Sequence, residues 1–341
     1  MDKRDYQKEE IMVSVCCMTY NHEPYIRDCL EGFVKQKTNF KYEVLIHDDA
    51  STDKTADIIR EYEKKYPDII KPIYQTVNQY SKKIDINKEY QYTRVNGKYV
   101  AWCEGDDYWI DPLKLQKQYD FMEEHRECSF CTHKVNVINA ENNTHILYMP
   151  NTVVDQILEI EKYLEYASIY KCTFQTSSYF AQSKYIKELL NDYPEFMKIL
   201  AYDISWVFYF STKGKIGYID DTMSVYRSGS IGSWTSRTKE HTDAIKHYMR
   251  VCNMYDECNR YTEYKYEKSI NNIIKSHAKE ICILSGMSED NDIDINTYKK
   301  YLSFFEKLKV SVIVHERKTG KCNFVHKIYF HIKNWRKRNA I

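Results

Sequence analysis

The chain has 341 residues and a formal net charge of +1, from 50 Lys and Arg against 49 Asp and Glu. Near-neutral charge gives no global reason to bind nucleic acid, so any anionic ligand must be met by local groups. With 43% apolar and 29% charged residues, the composition is that of a globular protein with room for one large domain and an extension.

The chain opens on the polar "MDKRDYQKEE", without the pattern of a secretory signal. Residues 12 to 18, "MVSVCCM", then form an apolar run of strand character, which "TYNHEP" breaks. Residues 24 to 37 follow with Ile26, Leu30, Phe33 and Val34 at helical spacing. The unit repeats: "YEVLIHDD" reads as a second strand, "ASTD" as a capping turn, and residues 54 to 66 as a helix with Ala56, Ile59 and Tyr62 on one side. "IKPIY" is a third strand. After a polar connection "KYVAWC" is a fourth, and Pro112 opens a helix through Glu124.

Eleven cysteines, an odd number lying in apolar segments, fit a reducing cytoplasm. Cys128, Cys131 and His133 have the beginning of a zinc spacing. No second ligand pair follows, and "CSFCTHKVNVI" reads as a strand. Further on, "SSYFAQ" has strand character, and beyond Thr235 the pattern is helical with charged faces. These signals divide the chain into residues 1–235 and a helical extension, 236–341. In the last stretch, Phe324, Ile328, Tyr329, Ile332 and Trp335 share one helical side, with Lys327, Lys333, Arg336, Lys337 and Arg338 elsewhere. That pattern suits either a helix lying on an anionic membrane through residues 323–341, or one packed on its own domain. No run of about 18 apolar residues offers a membrane span.

Strands alternating with helices imply an α/β fold with a mostly parallel sheet, whose ligands bind beyond the carboxyl ends of the strands. "TYN" at 19–21, "DDASTD" at 48–53 and "EGDD" at 104–107 all fall at such ends. Glu104, Asp106 and Asp107 crowd negative charge together, which a hard divalent cation would relieve, with substrate phosphates completing its shell. The plain alternative is a solvated turn leading into the next helix. Capping accounts for Ser51, Thr52 and Asp53 but not for both Asp48 and Asp49, so one of these is available to accept from a ligand N–H. Tyr20 offers a ring face for stacking.

Together, "VSVCCMTYNHEPYIRDCLEGFVKQ", "YEVLIHDDASTDKTADIIREY", "GKYVAWCEGDDYWIDPLKLQKQYDFM" and "KGKIGYIDDTMSVYR" resemble family 2 glycosyltransferases of the bacterial surface-polysaccharide type, over roughly residues 11 to 235. The resemblance implies the GT-A fold, a Rossmann-like mixed sheet flanked by helices, here with a helical C-terminal extension. It also implies an inverting transfer of a sugar from a nucleoside diphosphate donor, with UDP expected, to a hydroxyl of a glycan or lipid-linked acceptor. Thr19, Tyr20, Asn21, Asp49, Ser51, Asp106 and Arg227 are then the candidate donor contacts, with Tyr20 stacking on the base and Asp49 bonding it. Asp106, Asp107 and Glu104 are the candidate ligands of Mn2+ or Mg2+. Glu104 departs from the Asp that often opens this motif, and Gly229 stands where related chains carry a His. Asp203, in "LAYDISWVFYF", is the candidate base that removes the acceptor's proton. Trp109 and Trp234 line the acceptor site or the core. Two other classes remain open: a sugar nucleotidyltransferase, and a non-catalytic subunit that binds sugar nucleotides. The expected setting is cytoplasmic, at the inner face of the plasma membrane if the tail binds it.

Overall fold

A computed structural model describes residues 10–150, 155–170, 174–199, 204–230, 241–286 and 296–319. It divides into two compact units, Met1–Tyr166 with Cys172–Arg237, and Ala167–Lys171 with Thr238–Ile341.

The first unit begins β1 (Ile11–Thr19), α1 (Ile26–Val34), β2 (Lys41–Asp48), α2 (Thr55–Lys65), β3 (Ile70–Tyr74) and β4 (Tyr99–Trp102). It continues with β5 (Tyr108–Trp109), α3 (Lys114–Glu124), β6 (Cys128–Asn139), β7 (His145–Met149), β8 (Ile157–Leu158) and α4 (Ile160–Tyr170). Then come β9 (Phe180–Gln182), α5 (Ser183–Asn191), α6 (Glu195–Ile199), α7 (Ile204–Lys213) and β10 (Lys215–Ser228). The sheet order is β3-β2-β1-β4-β9-β6-β10-β5, with β7 on β6 and β8 on β10. β1 to β4 are mutually parallel where they pair, β10 is parallel to β6, and β9 runs against β4 and β6.

This is the mixed, mostly parallel sheet that the alternation predicts. β1 lies between β2 and β4 and is buried along most of its length on both faces, hence its largely apolar run. Pro72, which cannot donate to a ladder, is tolerated because β3 is the outermost strand. Several helices start later than their sequence signals. Tyr25 and Ile26 both bond the His22 carbonyl, so the segment from Pro24 turns before α1 begins. Asp111 Oδ1 accepts the Leu113 N–H at 2.8 Å and shapes the entry to α3, which starts at Lys114. Of "SSYFAQ", the two serines belong to a 3-10 turn, Thr176–Ser178, and the strand begins at Phe180. Cys128 and Cys131 both lie on β6 and are buried in the same apolar core, and among the described residues no third His, Cys, Asp or Glu joins them to hold a metal.

The core fills the space between the sheet and the helices on one face. Val13, Val15 and Cys17 of β1 and Val44 and Ile46 of β2 join Ile26, Cys29, Leu30 and Phe33 of α1 and Ile59 and Tyr62 of α2. Phe33 meets Trp109 edge to face at 4.8 Å. Beside it, a Cβ on Gly32 would lie 2.8 and 2.9 Å from the Trp109 backbone oxygen and nitrogen. Glycine at this position lets α1 rest directly on β5, just past "EGDD". Trp109 is therefore core, and its Nε1 donates to the Ser177 carbonyl at 3.0 Å.

The second unit contains α8 (His241–Tyr261), α9 (Glu267–Ser285), α10 (Asn296–Lys299) and α11 (Phe304–Thr319). α8 buries Val251, Met254, Tyr255 and Cys258, and α9 buries Ile270, Ile273, Ile274 and Ile281. Among the described residues no helix is long and apolar enough to cross a membrane. The basic tail, 323–341, lies outside the described residues.

Lys114 is wholly buried. Its Nζ donates to Gln118 Oε1 at 2.6 Å and stands 4.0 Å from the Trp109 ring centre. Burial pushes its pKa down to about 7, against about 10.4 in an unfolded chain. Between those values the unfolded state binds the extra proton, so this residue makes stability rise with pH. The stability difference between wild type and Lys114→Met, from urea unfolding, is expected to move in favour of wild type by about 1 kcal/mol per pH unit between pH 7.5 and 9. A difference independent of pH would mean that the lysine stays charged inside the protein.

Candidate active site

The ends of β1 and β2 are stitched together by the polar motifs that follow them. Asp49 N–H donates to the Thr19 carbonyl at 3.0 Å. Asn21 adopts a left-handed conformation (φ 54°), which asparagine tolerates better than most residues. Its N–H donates to Ser51 Oγ at 2.9 Å, and its Oδ1 accepts the Thr52 N–H at 2.8 Å. Asp53 Oδ1 accepts the Thr55 N–H at the start of α2, while its Oδ2 accepts the Glu23 N–H. Asn21 and Ser51 thus hold the two loops in register. Tyr20 stays 43% exposed at their rim, with its ring available to a ligand.

The aspartate pair divides its work. Asp49 accepts the backbone N–H groups of Gln79 and Tyr80, at 2.7 and 3.0 Å, and lies 3.5 Å from His47 Nε2. It anchors the connection between β3 and β4, with a second acceptor site still open on Oδ2. Asp48 is bonded by Ser51, whose N–H it accepts through Oδ2 at 3.3 Å, and its buried Oδ1 has no partner. Burial pushes the Asp48 carboxyl above the usual range. The family resemblance points to Asp49 as the base contact and assigns Asp48 no part.

"EGDD" continues from β4 alongside the first loop, with Gly105 N–H donating to the Met18 carbonyl at 2.9 Å. A Cβ on Gly105 would lie 2.7 Å from Thr19 Oγ1 and 2.9 Å from His22 Nδ1. Both of those buried polar atoms lack a partner. His22 was missed from sequence. Burial lowers its pKa despite the nearby carboxylates of Asp106, Asp53 and Asp48, so the imidazole is neutral near pH 7.

Asp106 and Asp107 are 6% and 3% exposed. Asp107 Oδ1 accepts the Arg227 N–H at 2.9 Å, and Asp106 Oδ2 accepts the Ser230 hydroxyl at 2.5 Å. Arg227 is itself buried. Its Nη1 donates to the Asp106 carbonyl at 2.8 Å, its Nη2 pairs with Asp28 of α1, and its guanidinium carbon lies 4.3 Å from the Tyr108 ring centre. It is a clamp under the acidic turn rather than an open anion contact. Burial, and then the neighbouring Asp106, hold the Asp107 carboxyl well above the usual range.

A cation would relieve that conflict. Among the described residues no three His, Cys, Asp or Glu side chains come together to hold a metal, so Glu104 does not complete a cage with the two aspartates. Two adjacent carboxylates do fit the way Mg2+ and Mn2+ are commonly held, with ligand phosphates filling the remaining positions. Asp203 and Trp234 lie outside the described residues. α7 opens at Ile204, directly after Asp203, with Val207 and Phe208 buried and Ile204 partly exposed.

Residues 14–201 match the model of the glycosyl transferase family 2. The chain belongs to that family. An uncharacterized protein of Mycobacterium tuberculosis is 35% identical over 231 residues, which cover 66% of this chain and 61% of that protein. The match thus spans less than two thirds of that relative's length. Among solved structures, Staphylococcus aureus TarS 1–349 in complex with UDP-GlcNAc is similar, with TM-score 0.50 and 14% identity over 97% of this chain and 92% of that one. So is the mannosyltransferase PcManGT of Pyrobaculum calidifontis in complex with GDP-Man and Mn2+, with TM-score 0.52 and 14% identity over 96% and 87%. These likenesses establish the GT-A type of fold for this family 2 chain.

Gly105→Ala tests how closely its loops are packed. The added methyl meets Thr19 and His22 below van der Waals distance, and overpacking of this kind costs about 1–3 kcal/mol. The expected result is a lower urea midpoint at unchanged slope. An unchanged midpoint would show that the first loop yields freely.

Proposed function

We propose that this family 2 chain is an inverting, metal-dependent glycosyltransferase. It moves a sugar from a nucleoside diphosphate donor, with UDP the expected nucleotide, to a hydroxyl of a glycan or lipid-linked acceptor in surface-polysaccharide synthesis at the cytoplasmic side of the membrane. The observation that carries the proposal is the meeting, at one sheet edge, of the β1, β2 and β4 loops with the clamped pair Asp106–Asp107. Support comes from two structures of this fold, one in complex with UDP-GlcNAc and the other with GDP-Man and Mn2+.

Each loop then has a part. Tyr20 stacks on the nucleobase, and Asp49 or the unpaired Asp48 Oδ1 bonds its edge. Thr19 Oγ1 and neutral His22 lie beside Gly105, where the ribose and diphosphate pass. Asp106 and Asp107 would hold the cation, which supplies neutralisation of charge on the departing diphosphate. Asp203 accepts the acceptor hydroxyl's proton as that oxygen attacks the anomeric carbon from the face opposite the leaving group, which inverts the centre. Surface-polysaccharide chemistry rests on the family resemblance, and a membrane role rests on the basic tail.

Calorimetric titration of UDP, GDP, CDP and dTDP, each with Mn2+ and with EDTA, is the direct test. One nucleotide is expected to bind with Mn2+ and to lose binding in EDTA. Asp107→Ala should lose that metal-dependent binding. Asp203→Asn should keep it while transfer falls by about 10²–10⁴-fold, the usual contribution of a general base. Retained turnover in Asp203→Asn would remove the base assignment, and failure of every nucleotide to bind folded protein would remove the donor site.

A further inference from the structure

A cavity of about 30 Å³ opens beside Glu104, walled by the rings of Tyr92, Trp102 and Trp206 and edged by Thr176 and Asn87. Asn87 is only 7% exposed, and its Oδ1 has no hydrogen-bond partner. Leaving such an acceptor buried and unpaired is costly, so it is available to a group that brings a hydrogen.

Asn87 is held firmly. It opens a single π-helical turn, Asn87–Gln91, an arrangement often found at functional sites. At the far end of the turn, Gln91 Nε2 donates to the Cys17 carbonyl at 2.8 Å and to the Leu45 carbonyl at 3.0 Å. The turn is therefore pinned across β1 and β2, and the position of Asn87 is set against the same strands that carry the donor loops.

Size and chemistry narrow the occupant. A water needs about 10–15 Å³ on this scale, so the cavity takes a group of two or three heavy atoms and not a whole pyranose. Its aromatic walls suit C–H groups, and the unpaired acceptor asks for an O–H or N–H. Glu104 belongs to the same turn as Asp106 and Asp107, so what lies next to it is the part of the donor attached to the diphosphate.

We infer that Asn87 is a specificity-determining residue that reads one hydroxyl-bearing substituent, of hydroxymethyl size, on the transferred glycosyl unit by accepting its hydrogen at Oδ1. The inference rests on the donor-binding function proposed above. Aromatic walls hold the substituent's carbon while Asn87 fixes its oxygen. That orients the anomeric carbon relative to the start of α7.

The test uses the full chain with Mn2+ and compares UDP and GDP with UDP-glucose, UDP-GlcNAc and GDP-mannose, in wild type, Asn87→Leu and Asn87→Asp. Leucine is close in shape but accepts nothing; aspartate keeps the acceptor. Asn87→Leu is expected to bind the bare nucleotide within twofold of wild type. It should lose at least tenfold in kcat/KM for the glycosyl donor that wild type prefers, with part of that loss restored in Asn87→Asp. A urea midpoint for Asn87→Leu at or above wild type would accompany this result, because the unpaired acceptor is gone. Transfer by Asn87→Leu equal to wild type would overturn the inference and leave the cavity to resident water. Equal weakening of nucleotide and glycosyl donor would also overturn it, by showing a structural role. So would a wild type that binds no glycosyl donor differently from its nucleotide. Absence of any nucleotide binding in wild type would instead strike the donor function first.

Discussion

Two adjacent carboxylates, Asp106 and Asp107, are taken almost entirely out of water at the end of β4, and much of the first unit is arranged around that constraint. Burial and like charge both disfavour ionisation, so each carboxylate needs hydrogen-bond donors. Arg227 supplies its backbone N–H to Asp107 and its guanidinium to the Asp106 carbonyl, while Ser230 bonds the Asp106 carboxylate. A planar fork that donates in two directions and lies over Tyr108 does what a lysine could not. Because Arg227 sits near the end of β10, its reach to the acidic turn depends on the register of β10 along β6.

The turn is also fixed from below and from the side. The thiols of Cys29 and Cys103 donate to the Glu104 carbonyl at 3.5 and 3.7 Å, and Gly32 lets α1 press on β5 just beyond. Asp28 of the same helix completes the Arg227 pair. The scaffold thereby saturates the groups that hold geometry: Asn21, Ser51 and most of Asp49. What it leaves unpaired at the edge are Thr19 Oγ1, His22 Nδ1 and Asp48 Oδ1. A ligand that bonds them removes an existing penalty, which is a stronger driving force than exchanging one satisfied bond for another.

The strand and helix alternation up to Glu124 was legible because each segment carries its own period and its own punctuation. So was the shared edge for "TYN", "DDASTD" and "EGDD", since parallel strands put their carboxyl ends on one side. The division of labour between Asp48 and Asp49 was not legible, because Asp49 is engaged by backbone N–H groups of Gln79 and Tyr80, and backbone donors leave no mark in residue identity. Sequence offers Arg227 as a donor contact because Gly229 stands where related chains carry a His. Its partners within the protein, Asp106 and Asp28, lie 121 and 199 positions away, a distance that no local pattern reveals. Asn87 sits in what reads only as a polar connection, since neither a π-turn nor a cavity has a sequence period.

These differences separate two layers at the site. The loops at the ends of β1, β2 and β4 are cross-linked by backbone and short side-chain bonds, so their geometry is insensitive to what surrounds them. The cavity walls come instead from irregular or late elements: the Asn87–Gln91 turn, the Thr176–Ser178 turn and α7. A substitution at Asn87 or Trp206 changes the shape of the cavity without touching the bonds that Asp106 and Asp107 make with Arg227 and Ser230. On the proposed function, one sheet edge would keep the same diphosphate chemistry while the sugar it accepts would be set by a few side chains on elements that the sheet does not constrain.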